Sequence, residues 1–470
     1  MKTKIMPILM PLVLLCGLQS SAWGQQPDSP LTPREQMMLQ RIEQLEKRLA
    51  VLEAKDQPPA SAQATAPVPP LQAAAVQEPP HSVPEKAQPA QPQAAEPNKL
   101  LDLLHGTTIN FLLDTYYEYN FNDPIGRVNY LRAFDVSSNA FSLNQADLVI
   151  ENAPDPSKGK SFGARVDFQY GQATQTLQGN PANEPRPDIY RAIFQAYGTY
   201  VHGGLTVDMG KWSSSLGIEN NYTKDQMNYS RSLWFDFLPF YHMGARIAYK
   251  LNDDLSLNYW IVNGTEQTEP FNGFKDQLFG LTIQPRKTIN WTVNYYLGQE
   301  HPDVIYYPNG GPAGLPTIQG LPFAPIPDAP KGKLDIFDSY ATWQASSKLT
   351  FALEGDYVIE RLQTYSAPMH VDGGAVYARR QLTSKFAIAG RAEYLSDRGG
   401  LYSGVTQALK EATFTTEYRL PEGFLIRGEW RRDFSNRPYF LTDQLGILKN
   451  RQTTATIGLV WWYGGKEGIW

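Results

Sequence analysis

The chain has 470 residues, 42% hydrophobic, 12% aromatic and 19% charged, with a formal net charge of −5 and a mean hydropathy of −0.40. No uninterrupted apolar run reaches the roughly 20 residues a helix needs to cross a bilayer, which excludes a helical membrane protein but not one crossed by strands, whose lumen-facing half keeps the average polar. The slightly acidic balance is no signature of nucleic-acid binding, and all of the net negative charge lies beyond residue 100.

Lys2 and Lys4 precede an apolar stretch from Ile5 to Leu18, followed by Ala22-Trp23-Gly24 with small residues at the two positions a signal peptidase reads. Residues 1–24 are therefore expected to be a secretory signal. The only cysteine, Cys16, lies inside it; lipid modification of Cys16 is the alternative, disfavoured by the bulk of Leu15. The mature chain then has no disulfide or thiolate chemistry.

Thr32-Pro33-Arg34-Glu35 reads as a capping box that opens a helix ending before Pro58-Pro59, within residues 25–56. Met38, Leu45 and Leu52, and likewise Ile42 and Leu49, recur every seven residues, as the d and a positions of a short coiled coil would. Arg41 to Glu46 and Arg48 to Glu53 share an Arg-apolar-x-x-apolar-Glu pattern resembling the trimer-favouring motif of such coils. A lone, solvated amphipathic helix is the alternative. Residues 57–100 follow as a linker, whose stretch 57–97 holds 11 prolines and no aromatic residue and so has too little apolar surface to offset the entropy of ordering it.

From residue 101 to 470 hydrophobic residues alternate with polar ones. Leu349, Phe351, Leu353, Gly355, Tyr357 and Ile359 face one way and Thr350, Glu354, Asp356 and Glu360 the other. Phe162 to Tyr170, Trp291 to Leu297, Phe386 to Tyr394 and Phe424 to Trp430 repeat the pattern. About sixteen such strands begin near residues 107, 142, 160, 188, 205, 243, 255, 277, 289, 334, 349, 374, 386, 409, 424 and 452. Short turns, such as Asn252-Asp253-Asp254 and Pro421-Glu422-Gly423, alternate with long loops near 120–140, 171–187, 213–242, 264–276, 300–333, 362–372, 396–408 and 434–450. That asymmetry predicts an all-β fold, a transmembrane antiparallel up-and-down barrel of the outer membrane, with its N-terminal segment periplasmic. A soluble sandwich or propeller would not alternate long and short connections systematically. Tyr119, Tyr200, Tyr249, Trp260, Tyr296, Tyr394, Tyr418, Trp430 and Trp461 lie near strand ends, where interfacial girdles are expected.

Met209-Gly210-Lys211-Trp212, Leu216-Gly217-Ile218-Glu219, Asn228-Tyr229-Ser230-Arg231-Ser232 and Pro239-Phe240-Tyr241-His242-Met243-Gly244-Ala245-Arg246 follow one another in that order. The block resembles the signature region of the OmpL-like family of β-barrel porins, and Leu131-Arg132-Ala133-Phe134-Asp135 resembles a segment of that family's first long loop. The resemblance spans roughly residues 101–470 and implies a Gram-negative outer-membrane porin, without naming a solute. Trp470 is the aromatic end common in such barrels, but Gly464 to Gly468 breaks the alternation, so the last strand reaches Trp470 or stops near Tyr463.

The long segment 213–242 is the expected constriction. It carries Glu219, Lys224, Asp225, Arg231 and Asp236 among several aromatic residues, and charges at a narrowed pore set selectivity. An external cap or a trimer contact is the alternative. Arg165, Arg246, Arg391 and Arg427, against Asp167, Glu354, Asp356, Glu393 and Glu429, are expected to line a hydrated lumen. No enzyme, cofactor or metal is expected: there is no nucleophile elbow, phosphate loop or His/Cys cluster, and His81, His105, His202, His242, His301 and His370 are scattered. A barrel hydrolase would need Ser and His on one wall, which spacing alone does not exclude. The expected partners are outer-membrane lipid, small hydrophilic solutes or ions, two further copies in a homotrimer, and the cell wall through the N-terminal segment. A barrel serving only as a structural tether is the second reading.

Overall fold

A computed structural model describes residues 106–470 except 179–183, 185, 308–309, 319 and 467. The expected signal segment 1–24, coiled coil 25–56 and linker 57–100 lie outside the described residues. Sixteen strands, each antiparallel to the next, close into a barrel. They are β1 Thr107–Asn120, β2 Ala140–Asn152, β3 Phe162–Tyr170, β4 Ile193–His202, β5 Leu205–Ser213, β6 Tyr241–Lys250, β7 Leu255–Val262 and β8 Asp276–Arg286. The second half is β9 Ile289–Gly298, β10 Leu334–Ser346, β11 Leu349–Glu360, β12 Met369–Gln381, β13 Phe386–Arg398, β14 Gln407–Arg419, β15 Phe424–Ser435 and β16 Arg451–Gly464. β16 pairs back onto β1, with Thr115 opposite Leu459, so no edge is left open.

The alternation predicted the number of strands and most of their starts. β4 begins five residues later than expected because Pro187–Tyr190 forms a helical turn, proline being well suited to its first position. β12 begins earlier, its Met369 pairing with Glu360, because Gly373-Gly374 hides the alternation from a reading of side chains alone. Connections at one end are tight. β4 and β5 are joined by Gly203-Gly204 alone, and the φ of +57° at Gly203 is one that a side chain disfavours. Connections at the other end are long, and residues 299–333 even hold a small sheet built from Val304–Tyr306, Thr317–Ile318 and Leu321–Pro325.

Burial is inverted relative to a soluble protein. On β1 the exposed residues are Ile109, Phe111 and Leu113, while Asp114 and Glu118 are buried. On β11 Leu353 is 59% exposed and its neighbours Glu354 and Asp356 are buried. The oily face therefore points outward and the charged face into the barrel, as a bilayer requires. Tyr249, Tyr394, Tyr418 and Trp430 stand on the outer face as expected of a girdle. Trp260 and Tyr296 do not: both are buried on the inner face, because the period of two gives the outer face to Tyr259 and Tyr295, which pack against Phe279 and Phe337.

The last strand stops at Gly464, and the tail turns inward instead of continuing the wall, leaving Trp470 buried. Should the outer face meet lipid, Leu353→Arg is expected to destabilise the barrel in lipid vesicles by about 2–4 kcal/mol. Urea titration of the refolded protein measures this, and an unchanged midpoint would contradict the assignment of faces.

Candidate functional site

Two residues apart on a strand means the same face, so charged residues at i and i+2 meet inside the barrel. Arg165 bonds Asp167 at 2.9 Å on β3, and Arg431 bonds Asp433 at 2.8 Å on β15. Arg391 on β13 lies 3.0 Å from Glu393 and 3.2 Å from Glu411 of β14. Arg427 meets Glu417 at 2.9 Å, and Arg246 meets Asp208 at 2.7 Å. The sequence reading did not single out Glu411, Glu417 or Asp114. Their only signal is parity, since each falls on the buried face of its strand.

The segment between β5 and β6, residues 214–240, lies inside this charged wall. Its backbone is mostly irregular, and buried irregular backbone must find partners for its N–H and C=O groups. The wall provides them. Arg427 donates to the carbonyls of Thr223, Gln226 and Asn228, the first at 2.7 Å. Arg391 donates to those of Ser230 and Arg231 at 2.8 and 3.1 Å, and Arg431 also reaches the Arg231 carbonyl. Carboxylates take the amides: Glu429 accepts from Tyr229 and Ser230 at 2.6 and 2.9 Å, and Glu393 from Leu233 at 2.8 Å. On β10 and β11 Asp338 and Glu354 accept from Gly217 and Ile218 at 3.2 and 3.0 Å, and on β2, eight strands round the barrel from β10, Gln145 donates to the Asn221 carbonyl at 2.9 Å. Thus the segment is bonded to both sides of the lumen.

The Asn-Tyr-Ser-Arg-Ser block is the centre of this docking. Asn228 donates to Thr415 at 2.7 Å, and the Tyr229 hydroxyl donates to Asp114 at 2.8 Å. The Tyr229 ring lies over Gly458, where a Cβ would come within 2.3 Å of it. Ser232 caps the short helix Leu233–Phe237, its hydroxyl accepting from the Phe235 amide at 2.9 Å. Further along, the ring nitrogens of His242 lie 3.1 Å from the Ser214 hydroxyl and 3.3 Å from the Gly264 carbonyl, closing the exit of the segment.

Arg231 faces the segment itself. Its guanidinium bonds the carbonyls of Asn220, Asn221 and Tyr229 at 3.1, 2.9 and 3.0 Å and lies 4.5 Å from the Phe134 ring centre. It staples the chain into its turn. Burial lowers its pKa to about 10, which leaves it charged at neutral pH. Phe134 belongs to the Leu-Arg-Ala-Phe-Asp stretch, whose Arg132 pairs with both Asp135 and Asp433.

The other expected constriction charges are also partnered. Glu219 binds Arg391 at 2.9 Å and accepts the Ser232 amide at 2.6 Å. Lys224 contacts Asp225 at 2.6 Å, the Gly468 carbonyl at 2.8 Å and the Trp470 ring at 4.6 Å. Burial lowers the Lys224 pKa, against the pull of Asp225. Asp225 accepts the Trp470 amide at 3.0 Å. The tail thus meets the docked segment, and Trp470 packs edge-on against Tyr222. Of the expected lining residues, Arg165, Asp167, Arg246, Glu354, Asp356, Arg391, Glu393, Arg427 and Glu429 all lie on the inner face. Apart from Asp356, each has a hydrogen-bond or ion-pair partner.

Asp236 accepts from the Tyr402 hydroxyl at 2.8 Å beside a cavity of about 580 Å³. Burial pushes its carboxyl up to about 6, against the effect of that hydrogen bond. The docked carboxyl therefore holds its proton at a pH where a free one, near 3.9, has lost it. The docked form is favoured at low pH, and this contribution is lost as pH rises through about 6. In Asp236→Asn the variant's stability relative to wild type should rise between pH 4 and 7.5, by up to about 3 kcal/mol. Thermal midpoints across that range test it, and a constant difference would contradict it.

Among curated proteins none matches this chain. Among solved structures the chain is similar to OmpT, an outer-membrane protein of Vibrio cholerae, with 9% identity, 76% of this chain and 97% of that one covered, and a TM-score of 0.46. It is similar to an anion-selective porin from Comamonas acidovorans with 8% identity, 76% and 99% coverage and a TM-score of 0.49. A mutant Rh. blastica porin gives 13% identity, 76% and 100% coverage and a TM-score of 0.44. The family model described as "Putative beta-barrel porin-2, OmpL-like" matches residues 106–461, from the first strand into the last. With its closed sixteen-strand wall, oily outside and charged within, the chain belongs to this OmpL-like family of outer-membrane β-barrel porins.

Proposed function

We propose that the protein is a diffusion channel for small hydrophilic solutes, not an enzyme, and that residues 214–240 form its constriction. The observation carrying this reading is the docking of that segment on arginines and carboxylates of one wall and on Gln145 of the wall facing it. A segment so held narrows the water-filled cross-section, and the groups left facing the water act on a solute at close range. Since most of the segment's charges are paired, size should discriminate solutes more than net charge does. In this reading the N-terminal segment is periplasmic.

Planar-bilayer recording of purified full-length protein is the deciding experiment. Stepwise channels are expected, and none at any voltage would favour the structural-tether reading. Arg391→Met removes one clamp and leaves its carboxylates unpaired, so it should cost about 3–5 kcal/mol of stability and raise single-channel conductance. Unchanged conductance in a folded variant would mean that the segment does not limit flow.

The heptads of residues 38–52 support a homotrimer, in which Arg at g lays its stem over the seam and meets Glu of the next chain. Cross-linking of full-length protein beside a version starting near Leu101 should give trimers for the first. A monomer in both would rule the trimer out, and a trimer in both would assign it to the barrel wall.

A further inference from the structure

On the inner wall of β10 and β11 stand three carboxylates, Asp338, Glu354 and Asp356, that no ion pair reaches among the described residues. One oxygen of each lies within 4.8 Å of the others, and all three residues are more than nine-tenths buried. The strand geometry brings them together. Asp338 is directly opposite Asp356 in the β10–β11 register, and Glu354 precedes Asp356 by two residues on the same face. The groups that bond two of them are neutral. Asn294 donates to Asp338 at 2.7 Å and the Tyr377 hydroxyl to Glu354 at 3.0 Å, beside the amides of Gly217 and Ile218. No N–H or neutral hydroxyl donor among the described residues reaches either oxygen of Asp356, whose polar neighbour is the carboxyl of Asp338. On β13–β15, by contrast, Glu393, Glu411, Glu417 and Asp433 each meet an arginine.

We propose that Asp338, Glu354 and Asp356 form a site for a hard divalent cation, calcium in preference to magnesium. The donors are all oxygens, which suits either ion and not a soft metal. Three carboxylates converging from a rigid wall suit calcium's large and irregular shell, whereas magnesium demands near-octahedral geometry and keeps most of its water. The site is also tied to the docked segment, because two of the three ligands already hold its backbone at Gly217 and Ile218. Gly217 has φ +81°, and a Cβ there would sit 3.0 Å from a Glu354 oxygen, so the chain passes directly over the carboxylates. A bound cation offsets two of the cluster's three negative charges and fastens the start of the segment to β10 and β11, beside the arginine clamps of β13 and β15.

The test uses full-length protein refolded in detergent without lipopolysaccharide, which binds divalent ions itself, and stripped with chelator. Calcium chloride is titrated by calorimetry and by thermal melting, with magnesium chloride and sodium chloride at matched ionic strength as comparators. One saturable calcium site per chain and a rise in the melting midpoint are expected. Asp356→Asn and, separately, Glu354→Gln should weaken binding roughly tenfold or more and remove the thermal shift, while Asp155→Asn in an exposed turn leaves both unchanged. If one variant does not fold, the other carries the comparison. If neither folds, wild-type binding decides. The proposal fails if wild type binds no calcium saturably, if both variants bind as wild type does, or if magnesium and sodium match calcium. A stability gain in Asp356→Asn without calcium binding would instead assign the cluster to a proton shared between Asp338 and Asp356.

Discussion

An irregular segment inside a barrel brings with it a set of backbone N–H and C=O groups removed from bulk water, and each must be satisfied there or cost on the order of 1–3 kcal/mol. That constraint organises this protein. A helix or strand would satisfy itself, but residues 214–240 contain only the turn Thr223–Asp225 and the short helix Leu233–Phe237. The wall must therefore bring donors and acceptors long enough to reach, which is what Arg and Glu supply. Arginine suits the carbonyl side because one planar fork serves several acceptors at once, as Arg391 and Arg427 do here. The paired amides of Tyr229 and Ser230 converge on the two oxygens of one carboxylate, Glu429.

This makes the inner charges structural before they are electrostatic. A buried ion pair loses much of its Coulomb gain to desolvation, so Arg391 with Glu393 and Glu411 alone would stabilise the barrel little. The added bonds to Glu219 and to the carbonyls of Ser230 and Arg231 change that balance, since charge-assisted hydrogen bonds are the stronger kind. Wall and segment complete one another. Without the segment the wall arginines would face water, and without the wall the segment would hold unpaired backbone.

The barrel was legible in the sequence because its two signals are local. Alternation needs only neighbouring residues, and the long and short connections need only their lengths. Nearness to a strand end suggests girdle positions for Trp260 and Tyr296, but parity decides the face: with Trp291, Val293, Tyr295 and Leu297 on the oily side, the even position Tyr296 falls inside. The motif residues were legible as a block but not as a mechanism. Arg231 reads as a pore charge until its partners at Asn220, Asn221 and Tyr229 are known, and Glu219 finds Arg391 across 172 residues of chain. No spacing rule reaches that far. Asp338 escaped for a related reason, since a search for His and Cys spacing does not register carboxylates on adjacent strands.

The same long-range pairing explains why the tail departs from the wall. After Gly464, where φ reaches +152°, the chain leaves the β1 ladder, with the Lys466 amide bonded to the Asn110 side chain at 2.8 Å. Trp470 then packs on Lys224 and Tyr222 instead of extending the oily belt. A tryptophan in that position covers the lysine stem and accepts its charge on the ring face, a cation–π contact that strengthens as water is excluded. Lys224 and Asp225 lie in the turn whose Thr223 carbonyl is held by Arg427. The wall, the docked segment and the end of the chain thereby meet at one turn, and a displacement of any one of them must break hydrogen bonds made by the other two.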